Sequence, residues 1–176
     1  MFNFESKFRI LYQFSYLASN FLFMSKFSVS NLNKFLLLKL PSAYLTGVRV
    51  TSINDQEATA TVTHRWINQN PFRSLYWAVQ GMASELTTGI LVMQQIHESG
   101  KKISMLVTHQ TGTFTKKATG KITFICSDVA KIKTAIDLTI ATGEAQVITM
   151  TAEGFNENKE SVSKFEYSWG IKLKSN

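Results

Sequence analysis

Cysteine is almost absent from this sequence, which has one Cys among 176 residues. A single cysteine rules out a disulfide within the chain and a cysteine-based zinc site. No two histidines stand at metal-ligand spacing, so we expect no metal. Cys126 ends an apolar run, which favours a small buried residue over a nucleophile. Gly112 and Gly120 are isolated in predicted strands, so there is no glycine-rich phosphate-binding loop.

Long hydrophobic runs are also missing. The most apolar stretch near the N-terminus covers residues 10–24. Polar side chains interrupt it at Gln13, Ser15, Ser19 and Asn20. It is therefore neither a signal-peptide core nor the run of about 20 apolar residues that a membrane span needs. We expect a cytoplasmic protein.

Acidic residues are scarce relative to basic ones, with 12 against 19 and a net charge of +7. Residues 1–53 contain a single acid, Glu5. Such an excess favours an anionic partner, such as a phosphorylated cofactor, an acidic carrier protein, nucleic acid or a membrane surface, although ordinary solubility charge explains it equally well. Nucleic-acid binding also calls for exposed aromatic residues within a dense basic stripe, which the sequence lacks, so we do not expect it.

Two helical patterns open the chain. Residues 5–26 place apolar side chains on one helical face, at Ile10, Phe14, Leu17, Phe21 and Met24. A shorter helix is predicted over residues 31–40, capped by Ser30 and stopped by Pro41. We interpret residues 1–40 as a helical extension, which packs on a core or lies on a membrane surface. One domain follows over residues 41–176.

From residue 47 the apolar period changes to two, which predicts a β-hairpin with its turn at Asn54 and Asp55. One face of its second strand consists of Ala58, Ala60, Val62, His64 and Trp66. A long helix is predicted next, over residues 74–98. Its interior glycines, Gly81 and Gly89, indicate close packing against another element, because each costs about 1 kcal/mol relative to alanine.

The remaining patterns predict four strands and one helix. The strands span residues 103–112, 113–126, 144–155 and 161–174, and the helix spans residues 128–142 and ends at Gly143. Hairpin connections imply antiparallel pairing. The order of elements therefore predicts an α+β fold.

Two segments resemble a known family. The first has an Asn-rich loop, Asn68-Gln69-Asn70-Pro71, after a strand ending at Trp66, and then a helix with small residues, Glu85 and Gly89. The second is the run from Phe114 to Lys121. Over residues 40–174 the chain resembles the hotdog-fold thioesterase superfamily, and most closely a branch known as a domain of unknown function. The resemblance implies an antiparallel sheet wrapped around one long central helix, here with two extra N-terminal helices.

The resemblance also implies roles for several residues. In such thioesterases an acid on the central helix acts as base or nucleophile, which corresponds to Glu85, and a polar loop residue helps to position water or the carbonyl, which corresponds to Asn70. Backbone N–H groups at the helix start bind the oxyanion, and here they belong to Ser74, Leu75 and Tyr76. Arg73 stands where such loops often have a small residue. It would block the carbonyl or hold a substrate carboxylate or phosphate.

Structural interpretations stand beside these catalytic ones. Apolar and small neighbours should desolvate Glu85 and raise its pKa toward that of a base at neutral pH. Alternatively, Glu85 pairs with Arg65, Arg73 or a helix N-terminus across a dimer interface. Thr88 either orients the attacking water or bonds the backbone carbonyl behind it. Asn70 either contacts substrate or caps a turn.

We therefore expect a thioesterase that hydrolyses an acyl-CoA or acyl-carrier thioester, with CoA as part of the substrate and no separate cofactor. Basic side chains that could bind the CoA phosphates or an acidic carrier are Lys101, Lys102, Lys117 and Lys121. We expect a symmetric homodimer or a homotetramer, because the family builds its site between subunits and an exposed sheet edge promotes association. The alternatives are a non-catalytic hotdog module that binds an acyl chain, lipid or CoA, and a peripheral membrane or scaffold protein that uses its N-terminal helices.

Overall fold

The computed structural model describes residues 27–174 of the chain. The helix predicted over residues 5–26 lies outside the described residues. The first helix described, α1, spans Val29–Lys39, two residues earlier than predicted at its start. Its N-cap is Ser28, whose side chain accepts a hydrogen bond from the backbone N–H of Asn31, so the expected cap at Ser30 was wrong.

Pro41 does end α1, but it also begins a second short helix, α2, at Pro41–Leu45. Proline suits the first position of a helix because its missing N–H would have no intrahelical partner there. Leu32 and Leu36 of α1 are buried in the main core. The Asn33 side chain makes two hydrogen bonds to the backbone of Val50. Helix α1 therefore packs directly on the first strand of the sheet.

Six strands and two longer helices form the rest of the fold. The strands are β1 (Arg49–Ile53), β2 (Ala58–Thr63), β3 (Ile103–Phe114), β4 (Lys121–Cys126), β5 (Gln146–Phe155) and β6 (Ser161–Leu173), and the helices are α3 (Trp77–Glu98) and α4 (Val129–Thr142). The predicted α+β class is confirmed. The hairpin turn at Asn54 and the end of α4 at the left-handed residue Gly143 are also where the patterns predicted them.

All neighbouring strands are antiparallel, in the order β1-β2-β4-β5-β6-β3. The two predicted strands after the long helix are therefore not partners. β3 pairs with β6 at one edge of the sheet, and β4 lies between β2 and β5. Helix α3 packs against the sheet, and α4 packs on α3 and β5. The core between these layers includes Phe124, Phe165 and Ile90.

Three boundaries differ from the sequence prediction. β2 ends at Thr63, so Trp66 is not on its buried face but in a 3₁₀ turn, 84% exposed. The long helix begins at Trp77 rather than at residue 74, because the preceding residues form backbone bonds to loops. The predicted strand 113–126 is interrupted by a loop over residues 115–120, and Gly120 turns the chain there with a φ of +68°.

The described part of the chain has no helix with the length and apolar character to cross a membrane. Cys126 is buried at the end of β4, as its apolar surroundings predicted. Burial raises the pKa of its thiol to about 12. A thiol with so high a pKa is inert as a nucleophile near neutral pH.

Candidate functional site

Glu85 lies in the middle of α3 and is half-buried. Burial raises the pKa of its carboxyl above the ordinary value of 4.5, because the charged form loses water. Among residues 27–174, the ion pairs are Lys116–Glu160, Lys131–Asp128 and Lys164–Glu166. Glu85 is therefore not paired with Arg65 or Arg73 within the described part of the chain, where its carboxylate also has no hydrogen-bond partner.

The carboxylate of Glu85 rests beside Gly89, one helical turn further along α3. A Cβ atom at Gly89 would lie 3.4 Å from Oε1 of Glu85 and 3.3 Å from the ring of Trp169. Gly89 thus lets the indole approach the helix where the carboxylate sits. The close packing that the helix glycines indicated is confirmed at this position.

Thr88 is buried, and its hydroxyl is already engaged. It donates to the backbone carbonyl of Glu85 (2.8 Å) and accepts from Nε1–H of Trp169 (3.0 Å). The hydroxyl proton of Thr88 is thus used in the hydrogen bond to the backbone carbonyl, which is the structural role considered above as the alternative to orienting water. In this geometry Thr88 anchors the helix to the sheet.

Asn70 organises the loop before α3. Its Oδ1 accepts from the backbone N–H groups of Phe72 and Ser74, and its Nδ2 donates to Oγ of Ser74 (2.9 Å). The loop also contains Arg73 in the left-handed conformation, with a φ of +57°. Within this chain, the Asn70 side chain therefore caps the turn, which is the structural role considered for it above.

The three amides expected to bind an oxyanion are used by the fold. The N–H of Ser74 donates to Asn70, that of Leu75 to Ala118, and that of Tyr76 to Asn68. The first amides of α3 are different. Within the described residues, the N–H groups of Trp77 and Ala78 have no acceptor, as expected for the first turn of a helix.

An open cavity of about 390 Å³ lies at the start of α3. Its lining is a mixture of aromatic, hydroxyl and amide side chains with two lysines. It includes Asn70, Phe72, Ser74, Leu75, Trp77, Gln80, Phe114, Thr115, Lys116, Lys117 and Ala118. Asn70, Ser74 and Leu75, three of the residues singled out by sequence, therefore meet at one cavity.

The four lysines expected to bind CoA phosphates are not brought together. Lys117 lines the cavity, and its Nζ lies 3.4 Å from the carbonyl of Phe72. Lys121 lines a separate groove beside the 156–160 loop. Lys101 and Lys102 follow the far end of α3, whose 22 residues span about 33 Å.

The family model for a domain of unknown function, DUF4442, matches residues 30–171. The chain belongs to this family. None of the curated proteins matches the sequence significantly.

Several solved structures share the fold of this DUF4442 protein. A protein of unknown function from Chlorobaculum tepidum is 17% identical with a TM-score of 0.71, covering 84% of this chain and 98% of its own. A Pseudomonas aeruginosa protein described as a probable thioesterase is 17% identical with a TM-score of 0.69, covering 82% and 96%. A thioesterase from Haemophilus influenzae is 12% identical with a TM-score of 0.64, covering 85% and 93%. The fold is therefore the hotdog fold that the two segments implied.

One residue that lines the cavity was missed by sequence reasoning. Gln80 is buried and lines the cavity, and its amide bonds the carbonyl of Leu75 and the hydroxyl of Ser163. The sequence patterns gave Gln80 no role, because it lies five residues before Glu85 and the two side chains do not stack closely on a helix. A better signal was the repeat of Gln80, Ser84 and Thr88 at four-residue spacing, which places three polar side chains on one helical face.

Proposed function

We propose that this DUF4442 protein hydrolyses an acyl thioester, carried on CoA or on an acyl-carrier protein, with Glu85 as the base or nucleophile. The observation that carries the proposal is the Glu85 carboxylate. It is half-buried on the central helix, its pKa is raised by burial, and no group within residues 27–174 neutralises it. A carboxylate whose pKa is raised toward neutrality accepts a proton more readily than an ordinary one.

As a general base, Glu85 takes a proton from a water molecule while the water oxygen attacks the thioester carbonyl carbon. The carbonyl electrons move onto oxygen and form an oxyanion. When the tetrahedral intermediate collapses, the C–S bond breaks and the thiolate leaves with the proton that Glu85 had accepted. As a nucleophile, the Glu85 carboxylate would instead attack the carbonyl carbon and displace the thiolate as the C–S bond breaks, forming a mixed anhydride with the acyl group. Water then hydrolyses this anhydride to the free acid and the regenerated carboxylate.

The oxyanion would be stabilised by the amides of Trp77 and Ala78, which the fold leaves available at the start of α3. These amides replace the ones expected from the resemblance. Trp77 lies eight residues before Glu85, which is about 12 Å along a helix axis. One thioester carbonyl cannot contact both groups of a single chain at that distance. We therefore place the carbonyl between the helix start of one copy and Glu85 of a second copy.

A panel of acyl-CoA thioesters with thiol detection tests this proposal. The wild-type protein should release CoA from at least one member, and Glu85→Gln should lower kcat by at least about 100-fold, as expected for a lost general base. If neither protein hydrolyses any acyl-CoA or any thioester of an acyl-carrier protein, the proposal is contradicted. Saturable acyl-CoA binding without turnover would instead support the non-catalytic hotdog module.

A further inference from the structure

Three buried side-chain hydrogen bonds join the central helix α3 to strand β6. They pair Gln80 with Ser163 (2.9 Å), Ser84 with Tyr167 (2.7 Å) and Thr88 with Trp169 (3.0 Å). All six side chains are buried. We call these six residues the polar ladder and each pair a rung.

The last two rungs are separated by nearly the same distance along helix α3 as along strand β6. Ser84 and Thr88 are four residues apart, which is about 6.0 Å along a helix. Tyr167 and Trp169 are two residues apart, which is about 6.6 Å along a strand and on the same face. Both rungs therefore form together in one axial position of α3 over β6. A one-residue shift would turn the helix by about 100° and break both.

Stability alone does not explain these rungs. Buried polar groups cost free energy unless they are hydrogen-bonded, and the net gain from a satisfied pair is small. Apolar side chains of similar shape would hold the two layers together as well. A fully satisfied buried network does, however, specify a single arrangement of the elements that carry it.

Glu85 lies between these two rungs. It follows Ser84 directly, and its backbone carbonyl accepts a hydrogen bond from the Thr88 hydroxyl. The Trp169 ring and Oε1 of Glu85 flank the same point, the position of a Cβ at Gly89. Glu85 thus stands in sequence between the two rungs, and its carboxylate shares one neighbour, Gly89, with the Trp169 ring of the second rung.

We propose that the residues of two rungs, Ser84–Tyr167 and Thr88–Trp169, are positioning residues. Their hydrogen bonds hold the Glu85 carboxylate in its half-buried site. This inference rests on the proposed function, because only that function makes the position of the Glu85 carboxylate important for catalysis. The hydrogen bonds that hold the carboxylate do not depend on it. Tyr167 is the titratable ladder group nearest Glu85. Burial raises the pKa of its hydroxyl, the hydrogen bond to Ser84 lowers it in part, and the charge of Glu85 raises it again, so the net pKa lies above the ordinary value.

Two matched threonine variants test the inference. Thr87 and Thr88 are both buried, and each hydroxyl bonds the carbonyl three residues earlier, but Thr88 also bonds Trp169. Thr88→Val should lower kcat for thioester hydrolysis about tenfold with KM within about twofold, because the transition state loses a fixed base. Thr87→Val should keep both constants within about twofold.

A second variant, Tyr167→Phe, keeps the inference testable if Thr88→Val does not fold. Tyr167→Phe removes the phenolic hydroxyl, with its hydrogen bonds to Ser84 and to the carbonyl of Gly81, but leaves Oγ of Ser84 bonded to that carbonyl (3.0 Å), so no buried group loses its last partner. In each variant, a carboxyl ¹³C NMR titration follows Glu85, assigned by Glu85→Gln. Thr88→Val and Tyr167→Phe should move its midpoint toward the ordinary value by about half a pH unit or more. Thr87→Val should not.

The titration separates this inference from the proposed function. If the wild type hydrolyses no thioester but both midpoints shift, the positioning role stands and the proposed reaction fails. If both midpoints stay at the wild-type value, or if Thr87→Val shifts the midpoint as Thr88→Val does, the positioning role is overturned. Should Thr88→Val not fold, the Tyr167→Phe midpoint decides alone.

Discussion

The carboxyl of Glu85 lowers the stability of the folded state at neutral pH but not at low pH. Its pKa is raised in the folded state, so folding favours the protonated form. The contribution of Glu85 to the unfolding free energy is therefore greatest below pH about 4.5, and it falls as pH rises through the raised pKa. Glu85→Gln should be more stable than wild type at pH 7, and the difference should shrink by pH 4, as measured by thermal melts at both values.

The matched control for this prediction is Glu144→Gln, which changes an exposed acid after α4. It should not show the pH-dependent gain. A Glu85→Gln protein that is less stable than wild type at pH 7 would mean that Glu85 has a structural partner outside residues 27–174 of its own chain.

Lys117 and Lys121 face different parts of the surface, so their replacements should differ. If the cavity at the start of α3 receives a CoA phosphate, Lys117→Ala should raise KM for an acyl-CoA severalfold at low salt, and less as salt increases. Lys121→Ala should leave KM within about twofold, because Lys121 lines another groove. Equal effects of the two variants, measured by steady-state kinetics at two ionic strengths, would place the phosphate elsewhere.

Helix α3 contains two glycines with different surroundings. A Cβ at Gly81 would meet its nearest neighbours, Phe165 and the Tyr167 hydroxyl, at 4.0 Å, whereas one at Gly89 would meet Trp169 at 3.3 Å. Gly81→Ala should therefore stabilise the protein by about 1 kcal/mol, the usual helix preference for alanine. Gly89→Ala should gain less or lose stability, because the buried indole must move. Denaturant melts of the two variants check this, and an equal gain would contradict the close approach at Gly89.

At the scale of the whole molecule, α1 belongs to the packed unit although it precedes the predicted domain start. Leu36 is buried in the main core, while its neighbour Leu37 is 47% exposed. Leu36→Ala should lower the unfolding free energy by about 2–5 kcal/mol, the range for a buried leucine. Leu37→Ala should change it by about 0.5 kcal/mol or less. Equal small losses in denaturant melts would show that α1 is a separate extension.

Strand β3 is a sheet edge whose last residues, 108–114, are exposed and include no Lys, Arg, Asp or Glu. Such an edge readily pairs with another strand. We expect a dimer by light scattering at micromolar concentration, and Thr111→Lys should weaken it by bringing like charges together across a two-fold axis. Asn158→Lys, in the β5–β6 loop, is the control. A wild-type monomer would remove the shared site between two copies.

Local patterns in the sequence determined much of the fold. The period of 3.6 predicted α4 within one residue of its start, because its apolar face repeats and Gly143 supplies a left-handed end. The period of two predicted the β1–β2 hairpin. Glu85 was singled out through the family resemblance, and its small and apolar neighbours in the helix predicted the raised pKa that burial produces.

Only the tertiary structure decided which groups meet. β3 pairs with β6, about 60 residues further along the chain, and no local pattern specifies such a partner. The amides of Ser74, Leu75 and Tyr76 looked available in sequence, but Asn70, Ala118 and Asn68 occupy them. The hydrogen-bond partners of Thr88 and Gln80 are likewise residues of β6, which only the fold brings next to α3. Side-chain type is a property of the sequence, whereas the hydrogen-bond partner of each group depends on segments that meet only after folding.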